Sequence, residues 1–267
     1  MGQCVSTSPL FRSAIQTIKP RELRDGDRRI ICLLRQERKM NIDNIKNLVT
    51  DSVAKSSNRF ELWKNILNGV ERRNVCEVGV WRGDFAKYIL DHVHGIKEYI
   101  FVDPWQNLPN WNKPANVSNE KFEKIRDEAF QKNEHHASRI RELRMTTKEA
   151  ATKIAPNSID FAYIDGDHTL RGITIDLNSI LPCIKENGLI GGDDFSKNIW
   201  QHSDKFDPSE VFPYAVYFSE AHNLTIFTLP FNQFLIVKND VSEIVDLANY
   251  GELTPRQIYG MRKRAHA

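Results

Sequence analysis

The chain has 267 residues, of which 40% are hydrophobic and 27% are charged, so it carries enough apolar material for a full globular core. Its 37 lysines and arginines against 35 aspartates and glutamates leave a formal charge of +2, which gives no reason to expect nucleic acid or an anionic membrane as the main partner. No apolar run approaches the ~20 residues that a membrane-spanning helix needs. The composition therefore excludes collagen-like, disordered and membrane-spanning classes.

Residues 1 to about 40 form an arginine-rich arm whose role the sequence does not decide. The arm begins with Met-Gly-x-x-x-Ser, the loose pattern of N-myristoylation at Gly2, and Cys4 beside it could take a second acyl chain. An unmodified polar tail is the favoured interpretation, and a membrane is expected as a partner only if this terminus is lipidated. Because the start of the chain lacks the long apolar stretch of a secretory signal, we expect a cytoplasmic protein.

Apolar residues at helical spacing over about 41–70, interrupted at residues 56–58, predict two N-terminal helices. From Asn74 onward, short apolar runs alternate with helical patterns, which favours a parallel sheet covered on both faces. The predicted strands are 74–80, 98–104, 158–165 and 189–195, with a weaker one at 141–147, and the helices between them are 84–94, 119–134 and 169–185. Pro182 is expected to kink the last of these helices and Gly188 to close the turn after it.

Two further apolar runs, 224–230 and 233–239, are separated by a short Phe-Asn connection that requires an antiparallel pair. The predicted fold is α/β: a doubly wound, Rossmann-like sheet with a terminal antiparallel hairpin and an N-terminal helical extension. We expect the main domain to cover 41–240 and a helical, basic tail to follow over 241–267.

The turn after the first strand carries a candidate nucleoside site. Gly79 and Gly83 stand four residues apart where this strand leads into a helix, so that a ligand can approach the backbone. A dinucleotide-binding turn has the spacing GxGxxG instead, and Glu77 just before the glycines would repel a phosphate. That acid suits a cationic ligand such as the sulfonium and amino-acid part of S-adenosylmethionine. Asp103, at the end of the second strand, is placed to accept hydrogen bonds from ribose hydroxyls.

Four segments carry a resemblance to a known family: Glu-Val-Gly-Val-Trp-Arg-Gly (77–83), Phe-Val-Asp-Pro-Trp-Gln-Asn-Leu-Pro (101–109), Ile-Asp-Gly-Asp (164–167) and Gly-Gly-Asp-Asp-Phe (191–195). They are similar to the cofactor loop, the segment after the second strand and the two acidic motifs of class I S-adenosylmethionine-dependent methyltransferases, in particular the macrocin and novobiocin type of sugar O-methyltransferases. The resemblance covers roughly 70–240 and implies that Trp81 belongs to the cofactor loop. The chain departs from the family's pattern at Val78, Asp84 and His168.

Four aspartates follow two strands that are expected to be neighbours: Asp165, Asp167, Asp193 and Asp194. Carboxylates this close repel one another unless a cation neutralises them, and oxygen ligands favour a hard ion such as Mg²⁺. The resemblance implies that Asp165, Asp193 and Asp194 hold the metal ion and that Asp167 takes the proton of the substrate hydroxyl. His168 is the alternative base, because an imidazole titrates near neutral pH.

The expected reaction is methyl transfer to a hydroxyl group of a sugar, another small polyol, a phenol or a glycan. Two predicted loops carry Trp105, Trp111 and Trp200, which could stack on a sugar or aromatic face or fill the core. A catalytically silent nucleoside-binding or scaffold protein is the alternative from a different class. An NAD-dependent dehydrogenase is weaker, since the glycine spacing and the terminal hairpin disagree with it. A homo-oligomer is left open.

Overall fold

The computed structural model describes residues 42–70, 74–201, 203–251 and Leu253. The expectations for the arm at 1–40, including acylation of Gly2 and Cys4, lie outside these residues, as does most of the basic tail. The chain divides into two units, Met1–Asn47 and Leu48–Ala267, and the sheet lies in the second. No helix in the described part of the chain is both long and apolar enough to cross a membrane.

The elements follow the alternation that the sequence predicts. The helices are α1 (42–54), α2 (Arg59–Asn68), α3 (Asp84–His92), α4 (Asn119–Lys132), α5 (Thr147–Ala151), α6 (Leu170–Ile180) and α7 (Val211–Ala221). The strands are β1 (Asn74–Val78), β2 (Glu98–Val102), β3 (Ile140–Leu143), β4 (Ile159–Ile164), β5 (Ile184–Gly192), β6 (Thr225–Leu229), β7 (Gln233–Val237) and β8 (Glu243–Asp246). Short 3₁₀ helices lie at Glu134–Arg139 and Leu181–Cys183.

All of these strands join one sheet in the order β3-β2-β1-β4-β5-β7-β6-β8. Strands β1 to β5 pair in parallel, and β7 pairs antiparallel with both β5 and β6. This arrangement confirms the predicted doubly wound sheet with its antiparallel hairpin. The strand order reverses between β1 and β4, and open α/β sheets bind ligands beyond the carboxyl ends of the strands at such a point.

The two faces of the sheet have different cores. Helices α2 to α4 cover an aromatic face, where the rings of Phe85 and Tyr163 stack at 3.8 Å and Trp63 lies 5.2 Å from Phe161. Helices α5 to α7 cover an aliphatic face. Successive side chains along a strand point to opposite faces of the sheet, so neighbouring residues of a strand pack into different cores.

Three details differ from the prediction. Strand β5 begins at Ile184, and its register with β4 shifts between Ile159 and Phe161, so Gly188 lies inside an irregular strand and does not close a turn. Within the segment expected to form a helical, basic tail from 241, residues Glu243–Asp246 form β8, which pairs in parallel with β6. Helix α7 was not predicted, although the buried residues Val211, Ala215 and Phe218 have helical spacing.

Candidate active site

A cavity of about 690 Å³ opens at the carboxyl ends of the parallel strands. Segments that follow β1, β2, β4 and β5 build its wall, together with a loop over 104–115 and the start of α6. Ionisable side chains line it: Asp103, Asp165, Asp167, Asp176, Asp193 and Asp194, with Arg59, Lys113, His168 and Arg171. Because the acids outnumber the basic groups, the cavity favours a ligand that carries positive charge.

Gly79 brings the turn after β1 against the turn after β4. Its φ is +83°, and a Cβ at this position would lie 2.0 Å from the carbonyl oxygen of Asp165. Gly83 has a φ of +73° at the N-terminus of α3, where a Cβ would lie 2.7 Å from Nδ2 of Asn133. Gly79 lines the cavity and Gly83 does not, so the structure gives Gly83 a role in helix packing.

Asp103 is held by backbone groups at the cavity wall. The backbone N–H of Trp81 donates to its Oδ2 at 2.9 Å, and that of Trp105 donates to Oδ1 at 2.8 Å. Burial raises the pKa of Asp103 to about 6, even though these backbone bonds favour the ionised form. Both Asp103 and Trp81 line the cavity, in keeping with the cofactor contacts predicted for them, and those contacts stay predictions.

Glu77 is not at the cavity. It is buried, and its Oε2 accepts a hydrogen bond from the hydroxyl of Tyr99 at 2.6 Å. Burial raises the pKa of Glu77 well above its usual range, which favours the neutral carboxyl group. The expected contact with a cationic ligand does not fit this position. The reason is strand parity: Cys76 and Val78 face the aliphatic core, so Glu77 faces the aromatic one.

The acids at the ends of β4 and β5 do converge, and an arginine from α2 lies among them. The guanidinium of Arg59 forms an ion pair with Oδ2 of Asp193 and lies 3.9 Å from Oδ2 of Asp165. Gln233, on β7, donates from Nε2 to Oδ1 of Asp193 at 2.6 Å. Sequence reasoning missed both Arg59 and Gln233, because neither belongs to a local motif and only the sheet topology brings them here.

His168 bridges two carboxylates. Its Nε2 lies 3.2 Å from Oδ1 of Asp165, and its Nδ1 pairs with Oδ2 of Asp194. Burial alone would lower the pKa of His168, but the side chains of Asp165 and Asp194 outweigh burial and raise that pKa to about 10. The imidazole is therefore positively charged at neutral pH.

Asp167 stands at the start of α6 with one oxygen fixed. Its Oδ1 accepts hydrogen bonds from the backbone N–H of Thr169 at 3.0 Å and from the indole N–H of Trp111 at 3.1 Å. Gly172 lies directly behind it, since a Cβ there would be 2.2 Å from the Asp167 Cγ. Asp167 lines the cavity, and the hydrogen bonds that Thr169 and Trp111 donate to its carboxylate use Oδ1.

The predicted metal centre does not fit this arrangement. Among the residues that the structure describes, no group of three or more His, Cys, Asp or Glu side chains is placed to hold a metal ion. Asp165, Asp193 and Asp194 lie at the same edge of the sheet, but Arg59 and His168 already pair with their carboxylates. The positive charge expected next to these carboxylates is supplied by the side chains of Arg59 and His168.

The three tryptophans of the predicted loops have different environments. Trp105 is fully buried and donates from Nε1 to the carbonyl of Trp81 at 2.9 Å, so it fills the core and cannot stack on a substrate. Trp111 lines the cavity beside Asp167. Trp200 is 52% exposed and does not line the cavity. Of the three, Trp111 alone is placed to offer a ring face to a ligand.

Two loops are tied together beside the cavity. The side chain of Asn112 donates to the carbonyl of Lys205 at 2.9 Å. The buried Lys113 donates from Nζ to the carbonyls of Asp207 at 2.7 Å and Pro208 at 3.1 Å. These bonds hold the loop that carries Trp111 in a fixed position over the acids.

Residues 76–195 match the family model of a methyltransferase domain. This methyltransferase domain supports the assignment of the chain as an S-adenosylmethionine-dependent methyltransferase. The matched segment contains the turn after β1, Asp103 and both acidic motifs, and the class I domain expected from the resemblance is thereby confirmed. No curated protein sequence matches the chain.

The chain is similar to several solved structures. A protein from Staphylococcus aureus assigned as a caffeoyl-CoA O-methyltransferase is 16% identical and has a TM-score of 0.50, over 76% of this chain and 98% of that one. An O-methyltransferase family protein from Burkholderia thailandensis is 11% identical with a TM-score of 0.44, over 67% and 55% of the two chains. The spermidine synthase of Thermotoga maritima is 14% identical with a TM-score of 0.44, over 69% and 61%. At 16% identity, the likeness to the Staphylococcus aureus protein concerns the fold alone.

Proposed function

We propose that this methyltransferase is an O-methyltransferase that acts on a hydroxyl group of a small polyol, a phenol or a glycan, with Asp167 as the general base. The observation that carries the proposal is the placement of Asp167. Trp111 and Thr169 donate hydrogen bonds to its Oδ1, and the residue lines the cavity. A carboxylate held in this way accepts a proton at a defined point.

In this proposal, the turn after β1 and the end of β2 supply the groups that bind the cofactor. Gly79 and Trp81 lie next to the backbone-held carboxylate of Asp103, which has the chemistry to accept ribose hydroxyls. The sulfonium of S-adenosylmethionine is positively charged, and the surplus of aspartates favours it over an anionic ligand. This surplus also weighs against the diphosphate of NAD.

The reaction then follows from the residues. Asp167 takes the proton of the acceptor hydroxyl while the oxygen of that hydroxyl attacks the methyl carbon of S-adenosylmethionine. The bond between this carbon and sulfur breaks, which leaves a methyl ether and S-adenosylhomocysteine. Holding both reactants in one cavity supplies much of the acceleration. His168 does not compete for the proton, because its ring is already protonated and both of its nitrogens face carboxylates. No step requires a metal ion, since Arg59 and His168 balance the charge of the neighbouring acids.

The acceptor is proposed more narrowly from the wall that faces Asp167. The indole of Trp111 is flat and apolar, and such a face packs against a sugar ring or an aromatic ring. A sugar hydroxyl, as in the macrocin and novobiocin type, and a phenol hydroxyl are both compatible with it.

Calorimetry with S-adenosylhomocysteine and with NAD separates the proposed enzyme from the alternatives. Binding of the former alone is expected, and binding of NAD alone would refute the assignment. Turnover is then measured at saturating cofactor with sugars, catechols and oligosaccharides. Asp167→Asn should lower kcat by ~10²–10⁴, whereas Asp127→Asn on the exposed side of α4 is the matched control and should not. If His168→Gln lowers kcat more than Asp167→Asn does, the base is misassigned.

A further inference from the structure

Arg59 takes the position at which a divalent cation would neutralise the acidic cluster. Its guanidinium pairs with Asp193 and lies 3.9 Å from a carboxylate oxygen of Asp165. These two acids come from the ends of β4 and β5, and the arginine reaches both from α2. A single delocalised cation thus does at this point what the spacing of the acids suggests for a metal ion.

The position of Arg59 is fixed by the helix on which it stands. Helix α2 begins at Arg59, and the side chain of Asn58 caps it by accepting the backbone N–H of Glu61 at 3.0 Å. One turn later, the fully buried Trp63 lies against the end of β5, where a Cβ on Gly191 would come within 2.2 Å of its ring. The glycine thus lets α2 approach the acids closely.

Trp63 of α2 also orients a side chain that binds Asp193. The indole N–H of Trp63 donates to Oε1 of Gln233 at 2.8 Å, and the amide nitrogen of Gln233 donates to Asp193 at 2.6 Å. Asp193 is therefore bound on one side by the arginine and on the other by an amide that the same helix orients. The partly exposed ion pair is thus joined to a hydrogen-bond network whose Trp63–Gln233 bond is buried, and a chance surface ion pair would have no such support.

We propose that Arg59 and a divalent cation are alternative occupants of the position between Asp165 and Asp193, and that Arg59 is the resident group in this methyltransferase. The two occupants exclude each other because they use the same carboxylate oxygens and have charges of the same sign. The inference does not depend on which acceptor is methylated, since it concerns the acids and the cation alone.

The test is Mn²⁺ binding in the absence of S-adenosylmethionine and acceptor, followed by the electron paramagnetic resonance signal of the unbound ion. Arg59→Met removes the charge and keeps the length of the side chain. It should bind Mn²⁺ at least tenfold more tightly than the wild-type protein, which corresponds to about 1.4 kcal/mol. Arg59→Lys keeps the charge and should resemble the wild type. Arg126→Met, at an ion pair with Glu142 outside the cavity, is the matched control and should also leave the affinity unchanged.

The double variant Arg59→Met/Asp193→Asn assigns the site. Its affinity should fall back toward the wild-type value if the ion binds where the arginine was. An affinity in Arg59→Met that equals or lies below that of the wild type would overturn the proposal, as would a gain that survives Asp193→Asn. If Arg59→Met does not give a cooperative thermal transition, Arg59→Gln takes its place with the same expected gain. Binding of S-adenosylhomocysteine is measured in parallel, so that failure of the cofactor assignment is recognised separately.

Discussion

Replacing Gln233 by leucine should destabilise the protein strongly, because this side chain uses all of its hydrogen-bonding capacity inside the core. Its Oε1 accepts from the indole N–H of Trp63 and from the hydroxyl of Tyr163, both at 2.8 Å. Its Nε2 donates to Asp193 at 2.6 Å and to the carbonyl of Phe231 at 3.0 Å. The residue is fully buried, so water cannot replace these partners.

The magnitude follows from the groups that are left behind. Leucine is close to glutamine in volume, so little cavity forms and the transfer of the leucine itself is favourable. The indole N–H of Trp63 and the hydroxyl of Tyr163 lose their acceptor, and each buried unsatisfied group costs about 1–3 kcal/mol. We expect the free energy of unfolding to fall by roughly 2–6 kcal/mol in total. Urea denaturation at pH 7, followed by circular dichroism, measures it.

A matched control variant and a double-mutant cycle between Gln233 and Trp63 test the origin of this loss of stability. Gln131→Leu, on the exposed side of α4, should change the free energy of unfolding by less than about 0.5 kcal/mol. Trp63→Phe removes one of the two donors, so in that background Gln233→Leu should cost about 1–3 kcal/mol less than in the wild type. A loss below 1 kcal/mol for Gln233→Leu, or simple additivity in the cycle, would refute the reasoning.

Other consequences concern charge, position and loop closure. Burial raises the pKa of Asp176 to about 7, so ionisation destabilises the folded state as the pH rises from 4 to 7. The free energy of unfolding of Asp176→Asn should therefore rise relative to that of the wild type by up to ~1.4 kcal/mol per pH unit in that range, and should rise no further above it. Urea denaturation across pH 4–8 measures this difference, and a difference that does not depend on pH would contradict the prediction. Gly172→Ala places a Cβ 2.2 Å from the Asp167 Cγ, so kcat should fall by ~10² while calorimetric binding of S-adenosylhomocysteine persists; an unchanged kcat would remove Asp167 from the reaction. Lys113→Met should speed hydrogen exchange over 105–118 relative to the wild type and to the exposed control Lys205→Met, because Lys113 ties two loops; equal exchange in all three proteins would show that the tie is unimportant.

Much of the fold could be predicted because its signals are local. Short apolar runs and helical spacing placed β1, β2, β4 and the hairpin within a few residues, and Asn58 marks the start of α2 as a cap. Strand β8 was missed because Glu243–Asp246 is short and half-buried, and it becomes a strand only by pairing with β6. Tertiary context decides such segments.

The sequence predicted a residue of the site only where that residue belongs to a local motif. Asp167 and Asp103 lie in the cavity because each follows a parallel strand, as the topology requires. Glu77 is buried outside the cavity because of the side-chain alternation along β1, which its motif does not encode. Gln233 stands 170 residues from Trp63 in the sequence, and no spacing rule connects residues that far apart.

The match to the methyltransferase domain does not include three side chains that bind or orient its acidic cluster. It covers 76–195, whereas Arg59 and Trp63 precede this segment and Gln233 follows it. The domain therefore supplies the carboxylates and His168, and the flanking α2 and β7 supply the groups that bind Asp193. Proteins that share both acidic motifs but lack a basic residue at the start of the helix before β1 should bind a divalent cation more tightly than this chain. The comparison needs only Mn²⁺ titrations, and equal affinities would show that the acids alone set the cation preference.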